Sequence, residues 1–138
     1  MMDLTSPIRR GLRGDIVLLE VLGKDADNEV KVYDDPAKSD VSPPYATFAV
    51  MSTNQQVGVY GDDYVIEPFP LLLKAWGRDP REAWSIAEFL EDALFKADFA
   101  YDPYEVIRIR RVSTPEQLPD RDTDMTQVVM TYDVILAR

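Results

Sequence analysis

Cysteine and histidine are both missing from the 138 residues, and together these absences remove much of the chemistry a small protein can carry. Without cysteine there is no disulfide framework, thiolate nucleophile or zinc finger. Without histidine there is no Ser-His-Asp arrangement and no side chain that ordinarily exchanges protons near neutral pH. Basic residues are scarce as well: 15 Lys and Arg stand against 25 Asp and Glu, a net charge of -10. Neutralising phosphates requires a basic surplus on some face, so neither sequence-specific nucleic-acid binding nor attachment to an anionic membrane is expected. A negative wall does suit a path along which DNA must slide without sticking. No apolar run approaches the roughly 20 residues that cross a bilayer. The opening residues, Met1 to Pro7, lack the basic-then-apolar order of a secretion signal. These absences predict a soluble, cytoplasmic protein without cofactor, metal or catalytic residues.

What is present suffices for a folded core. A chain of this length, 46% hydrophobic, is the size of one domain spanning residues 1–138 and needs no metal or disulfide. Thr5-Ser6-Pro7 reads as a hydroxyl cap followed by proline, the start of a helix. Ile8, Leu12, Ile16, Leu19 and Leu22 recur at helical steps, and Gly23 is placed to end the helix. Gly11 and Gly14 weaken its early turns, so its firm part is expected from Asp15 onward. Residues 24–44 are charged and turn-forming, broken by a short strand at Val30 to Tyr33. Pro43-Pro44 forces an extended entry into a strand from Tyr45 to Met51, and a further short strand is expected at Val57 to Tyr60. Tyr64 to Trp76 is strand-like, although Pro68 and Pro70 cannot donate to a ladder and imply an edge, bulge or bend. After a helix, Val106 to Val112 alternates with Ile107 and Ile109 on one face and Arg108 and Arg110 on the other. In the last strand Val128, Met130, Tyr132, Val134 and Leu136 share one face. The order predicts an α+β fold: a mainly antiparallel β-sheet with two principal α-helices packed on one face.

The strand-to-helix turn Gly77-Arg78-Asp79-Pro80 invites a search for a phosphate or nucleophile site. Asp79 is a good N-cap, Pro80 fits the first helical position, and Glu82 stands where a capping box closes. Those carboxylates occupy the donors an anion would need, and the loop lacks the glycines of a phosphate cradle. The turn is therefore structural, with Arg78 the residue expected to face a partner. On the following helix Ala83, Ile86, Ala87, Leu90, Ala93, Leu94 and Ala97 form one core stripe. Trp84 and Phe95 lie beside it on one flank and Phe89 on the other, where aromatics serve either as interface anchors or tucked under loops.

Other clusters carry little chemistry. Glu88, Glu91 and Asp92 share a solvated face, with no pocket or cation to split their pKa values into an acid/base pair. Asp120, Asp122 and Asp124 alternate like the start of a calcium loop, but Met125 replaces its glycine and Thr131 its closing glutamate. Pro43-Pro44-Tyr45 is a strand entrance more naturally than a polyproline ligand. Arg108, Arg110 and Arg111 form the one concentrated basic patch, suited either to an acidic surface of another subunit or to internal carboxylates. The segment from Ser113 to Asp124, with two prolines and a run of charges, is longer than a hairpin needs, and such loops are often functional.

The order of these features resembles the tail terminator (tail completion) proteins of long-tailed bacteriophages. The matching pieces are an N-terminal helix ending near Gly23, Val32-Tyr33, and Pro44-Tyr45 leading a strand through Val50. They continue with a strand ending in Ala75-Trp76, a turn with Arg78, a helix carrying Glu82-Ala83 to about Leu94, and two final strands split by a charged loop. Gly11, Gly14, Pro68 and Pro70 depart from the pattern. The resemblance implies a structural virion protein, assembled in the host cytoplasm into a homo-oligomeric ring, commonly of six copies, on the head-proximal end of the tail tube. There it stops tube polymerisation and joins the head, its partners being the tail tube protein and a head-tail connector protein. On this reading Arg78, Trp84, Phe95, Arg108, Arg110, Asp120, Arg121, Asp122 and Asp124 are the expected subunit or tail-tube contacts. Three other readings compete: a head-side connector or stopper, a small acid/base enzyme using Glu88 or the Asp120 loop, and a module binding peptides at a sheet edge.

Overall fold

The computed structural model describes residues 4–35, 37, 41–51, 58–60, 64–97, 105–119 and 125–137. In chain order the elements are α1 (Thr5–Arg13), α2 (Ile16–Leu22), β1 (Val32–Asp34), β2 (Tyr45–Val50), β3 (Gly58–Tyr60), β4 (Tyr64–Gly77), α3 (Pro80–Lys96), β5 (Glu105–Arg111), β6 (Glu116–Pro119) and β7 (Thr126–Ala137). The sheet runs β1-β2-β4-β7-β5, with β3 added to β4 and β6 to β7. The fold is α+β, as the element order predicts.

Its axis is the antiparallel pair β4 and β7, in register from Ile66 opposite Ala137 to Gly77 opposite Thr126. Each of these long strands is covered on its outer edge by two shorter ones: β2 and β3 along β4, β5 and β6 along β7. Alternation then decides the faces. Leu71, Leu73 and Ala75 of β4, and Val128, Met130, Tyr132, Val134 and Leu136 of β7, are buried beneath the helices. The intervening Leu72, Lys74, Trp76, Val129, Thr131 and Ile135 are only partly buried. The core stripe of α3 packs on the buried face as predicted, except that Ala97 is partly exposed beyond the helix end.

The prolines of β4 sit where pairing allows them. Met51 N–H donates to the Pro70 carbonyl at 2.9 Å, so Pro70 directs its backbone toward the β2 side, just past the last paired residue, Val50. Pro68, two residues earlier, directs its backbone the same way, between the ends of β3 and β2. Neither proline is asked for a ladder N–H, and β4 is locally an edge on that side.

Four expectations are revised by the structure. The single N-terminal helix is two: Asp15 takes an extended conformation and its carboxylate accepts from Leu18 N–H at 3.0 Å, starting α2 afresh. The break rotates the apolar stripe, so Leu18 and Leu22 are buried while Ile16 is 72% exposed. The cap of α1 is Leu4, without a side-chain hydrogen bond, and Pro7 is buried inside the first turn. In β5 a bulge between Val106 and Arg108 interrupts the expected alternation, and Val106 and Ile109 both pack against the core. Finally β1 joins β2 in parallel rather than antiparallel, Val32 opposite Ala46 through Asp34 opposite Phe48.

Gly77 closes the junction of β4 with α3. A Cβ there would lie 2.5 Å from the Ala83 nitrogen and 2.9 Å from the Ala83 Cα, both backbone atoms of the first helical turn. Gly77→Ala is therefore expected to push α3 off the sheet and cost about 1–3 kcal/mol, read as a lower urea midpoint. An unchanged midpoint would show that the junction has slack the geometry denies.

Candidate interaction surfaces

At the turn, Asp79 caps α3 by accepting from Glu82 N–H at 2.8 Å, and Pro80 opens the helix. Glu82 does not close the box on Asp79; its carboxylate reaches one residue further back and accepts from Arg78 N–H at 2.9 Å and from the Arg78 guanidinium at 2.8 and 3.1 Å. That bonding holds the Glu82 carboxyl below its usual range and raises Arg78 above its own. Glu82 and Asp79 thus take the Arg78 and Glu82 backbone donors of the turn, and their carboxylates oppose an anion there. Arg78, expected to face outward, is exposed yet already committed to Glu82.

Trp76 belongs to packing. Its indole N–H donates to Thr47 Oγ1 at 3.1 Å, and its ring stacks on Tyr45 with centroids 5.7 Å apart. Tyr33 continues the row edge-on to Tyr45, and its hydroxyl donates to Asp25 at 2.7 Å. Arg13 bounds the β1 edge: its Nε donates to the Val32 carbonyl and its guanidinium lies 5.8 Å from the Tyr33 ring centroid.

The flank of α3 above β5 and β6 carries the expected aromatics. Trp84 is 38% exposed, its indole N–H donating to Gln117 Oε1 of β6 at 2.7 Å. Phe95 is 49% exposed and meets Tyr132 edge-on at 5.9 Å. Between them Glu91 receives the Tyr132 hydroxyl at 2.9 Å and the Arg111 guanidinium. Burial first, and then the hydrogen bond to Glu91, raise the Tyr132 hydroxyl above its ordinary pKa, so it stays protonated as a donor. The same carboxylate raises Arg111. Glu91, read in the sequence as one of three solvated acids, is thus the strut between α3 and the outer strands. Glu88 and Asp92 remain exposed.

The basic strand divides by face. Arg111 turns to Glu91 and Arg110 to Asp133 at 2.9 Å, whereas Arg108 is exposed with no charged partner among the described residues. The charged loop is partly a strand: β6 pairs with the first residues of β7, Glu116 opposite Val129 through Pro119 opposite Thr126. Asp120, Arg121, Asp122 and Asp124 lie outside the described residues. Among the described residues no group of three acidic side chains is arranged to hold a metal ion, and no helix is long and apolar enough to cross a membrane. A shallow cleft of 390 Å³ between Val21, Pro44 and the start of α3 opens beside the capped turn.

Comparison with known proteins supplies what geometry alone does not. The family model of the tail completion protein gp17 matches residues 6–137. No curated protein matches. Among solved structures, a chain of the virion of a native gene transfer agent (GTA) particle is similar over 98% of this chain and 95% of its own, with a TM-score of 0.72 and 16% identity. The gp17 protein of bacteriophage SPP1 is similar over 95% of this chain and 86% of its own, with a TM-score of 0.58 and 14% identity. At these identities the two structures speak for the fold.

The Arg78–Glu82 pair sets a pH test. Because the folded carboxyl titrates below its unfolded value, its contribution is present above the ordinary carboxylate range and is lost as pH falls through the folded value. Arg78→Ala is expected to lower the urea midpoint only slightly at neutral pH, as loss of an exposed pair does. The deficit should shrink as pH falls below the ordinary carboxylate range and through the lowered folded value. Urea midpoints at neutral and acid pH decide; a gap that persists in acid would assign Arg78 a packing role instead.

Proposed function

The chain belongs to the tail completion protein gp17 family, a structural component of the phage tail and not an enzyme, and we propose that it ends the tail tube. On this reading the whole chain acts as one terminator domain. Copies assemble as a ring of six on the head-proximal end of the tube, block addition of further tube subunits and present a surface to the head-tail connector protein. The observation that carries the proposal is the match across residues 6–137. The fold supports it with exposed aromatics at Trp84 and Phe95, which the core does not require outside, and with an excess of acid on the surface. Acidic walls repel DNA and let it pass.

The subunit contacts are assigned to Arg78, Trp84 and Phe95 on the helix side and to Arg108 and Arg110 on the sheet. The tail-tube contact is assigned to the segment holding Asp120, Arg121, Asp122 and Asp124. Because β6 covers β7, shortening the whole segment to a tight turn would strip an edge of the sheet. The cleaner change replaces those four charged residues with serine and leaves Glu116–Pro119 intact.

Two measurements check this reading. Electron microscopy of the purified protein mixed with tail tubes should show density capping one end only; uncapped tubes, with binding to isolated heads instead, would favour a head-side stopper. Phage carrying the four serine substitutions should produce tails of uncontrolled length, or full tails without heads. Normal yields of infectious particles would remove the segment from the mechanism.

A further inference from the structure

The helix layer and the sheet layer each leave one surface uncovered among the described residues, and each carries charges without an internal partner. The outward face of α3 presents Trp84, Glu88, Asp92 and Phe95, all exposed, and neither Glu88 nor Asp92 has a hydrogen-bond or ion-pair partner among the described residues. The stripe ends in two cations, Arg81 and Lys96. The sheet face turned away from the helices has an apolar middle of Leu72, Val129 and Ile135, each partly buried. Its border along β5 and β6 mixes charges: Glu105 and Glu116 are exposed there, Arg110 is shared with Asp133, and Arg108 opposite Ile135 has no partner among the described residues.

We infer that these surfaces dock on one another between neighbouring copies. The α3 face of one chain covers the open sheet face of the next, Trp84 and Phe95 against the apolar middle and Glu88 and Asp92 toward Arg108 and Arg110. The inference rests on the ring reading above and says which surfaces build the ring. Three arguments select a second copy as the occupant. A sheet with a half-apolar second face gains from a helix layer there, and this chain offers a helix of matching character. Copies that each carry a charge of -10 repel, so contact needs local opposites, and among the described residues Arg108 is the exposed cation on that face without an internal carboxylate. The two surfaces lie on opposite layers, so the contact is head-to-tail and repeats in one sense, the arrangement that closes into rings.

The test uses two single substitutions at exposed, unpartnered positions, which circular dichroism should find folded as the wild type. Arg108→Glu alone and Glu88→Arg alone should each weaken self-association by about tenfold or more, measured by sedimentation, because each places like charges together. An equimolar mixture of the two variants should recover assembly, since the altered sheet face of one then meets the altered helix face of the other. Variants that assemble like the wild type, or a mixture no better than its components, would overturn this interface and leave the ring reading standing. A wild-type chain that stays monomeric in solution and on tube ends would overturn the ring and this contact with it.

Discussion

Everything in the fold is referred to the pairing of β4 with β7. Twelve residue pairs in unbroken register, from Ile66–Ala137 to Gly77–Thr126, fix which side chains face the helices, because a slip of one residue would exchange the buried and open faces of both strands. That register is specified by the apolar alternation of β7 and the matching residues Leu71, Leu73 and Ala75. Once it is set, the shorter strands need only cover edges. Gly77 then ends the ladder where α3 must begin, close enough that no side chain fits between them. The helix is aimed by the strand it follows.

The parts of this arrangement legible in the sequence are those where one physical preference acts alone. The last strand, the core stripe of α3 and the Asp79–Pro80 start follow from period and capping, and all are present. The failures fall where two preferences compete. Ile16 continues the helical period of Ile8 and Leu12, but Asp15 prefers to cap, and the cap wins by restarting the helix with Ile16 outside. Ile107 continues a strand alternation that a bulge interrupts, and a bulge in β5 answers to the strand it pairs with rather than to its own composition. The strand within the charged loop has the same origin: Glu116 to Pro119 has no apolar face to announce it, and pairs because the first half of β7 would otherwise be an open edge.

The interaction surfaces were legible to a smaller degree. Aromatics off the core stripe marked one flank of α3, and the structure leaves Trp84 and Phe95 largely outside while giving each an internal neighbour, Gln117 and Tyr132. What sequence could not separate were charges of one type doing different work. Glu91 looks like Glu88 and Asp92 in a helical wheel, yet it alone stands beside a buried hydroxyl and a strand-borne arginine. Arg108, Arg110 and Arg111 look like one patch, but alternation sends Arg111 to the helix side, and Asp133 engages Arg110. Glu82 shows the same dependence on distance, bonding Arg78 where spacing alone would put it on Asp79.

The distribution of those ion pairs decides which cations an acidic chain leaves available for contact. Arg9, Arg13, Lys74, Arg78, Arg110 and Arg111 each stand against a carboxylate of the same molecule, so part of the minority charge is spent inside. Most of these pairs are exposed enough to contribute little to stability individually. Their collective effect is on the field: they quench cations that would otherwise attract neighbouring copies, or DNA, without selectivity. The surplus anions then dominate at long range, where screening over roughly 8 Å at physiological salt confines attraction to close contact. Association must come from surfaces that touch, apolar area first and unquenched charge second. On the proposed terminator reading, that ordering of ranges keeps copies apart until complementary surfaces touch.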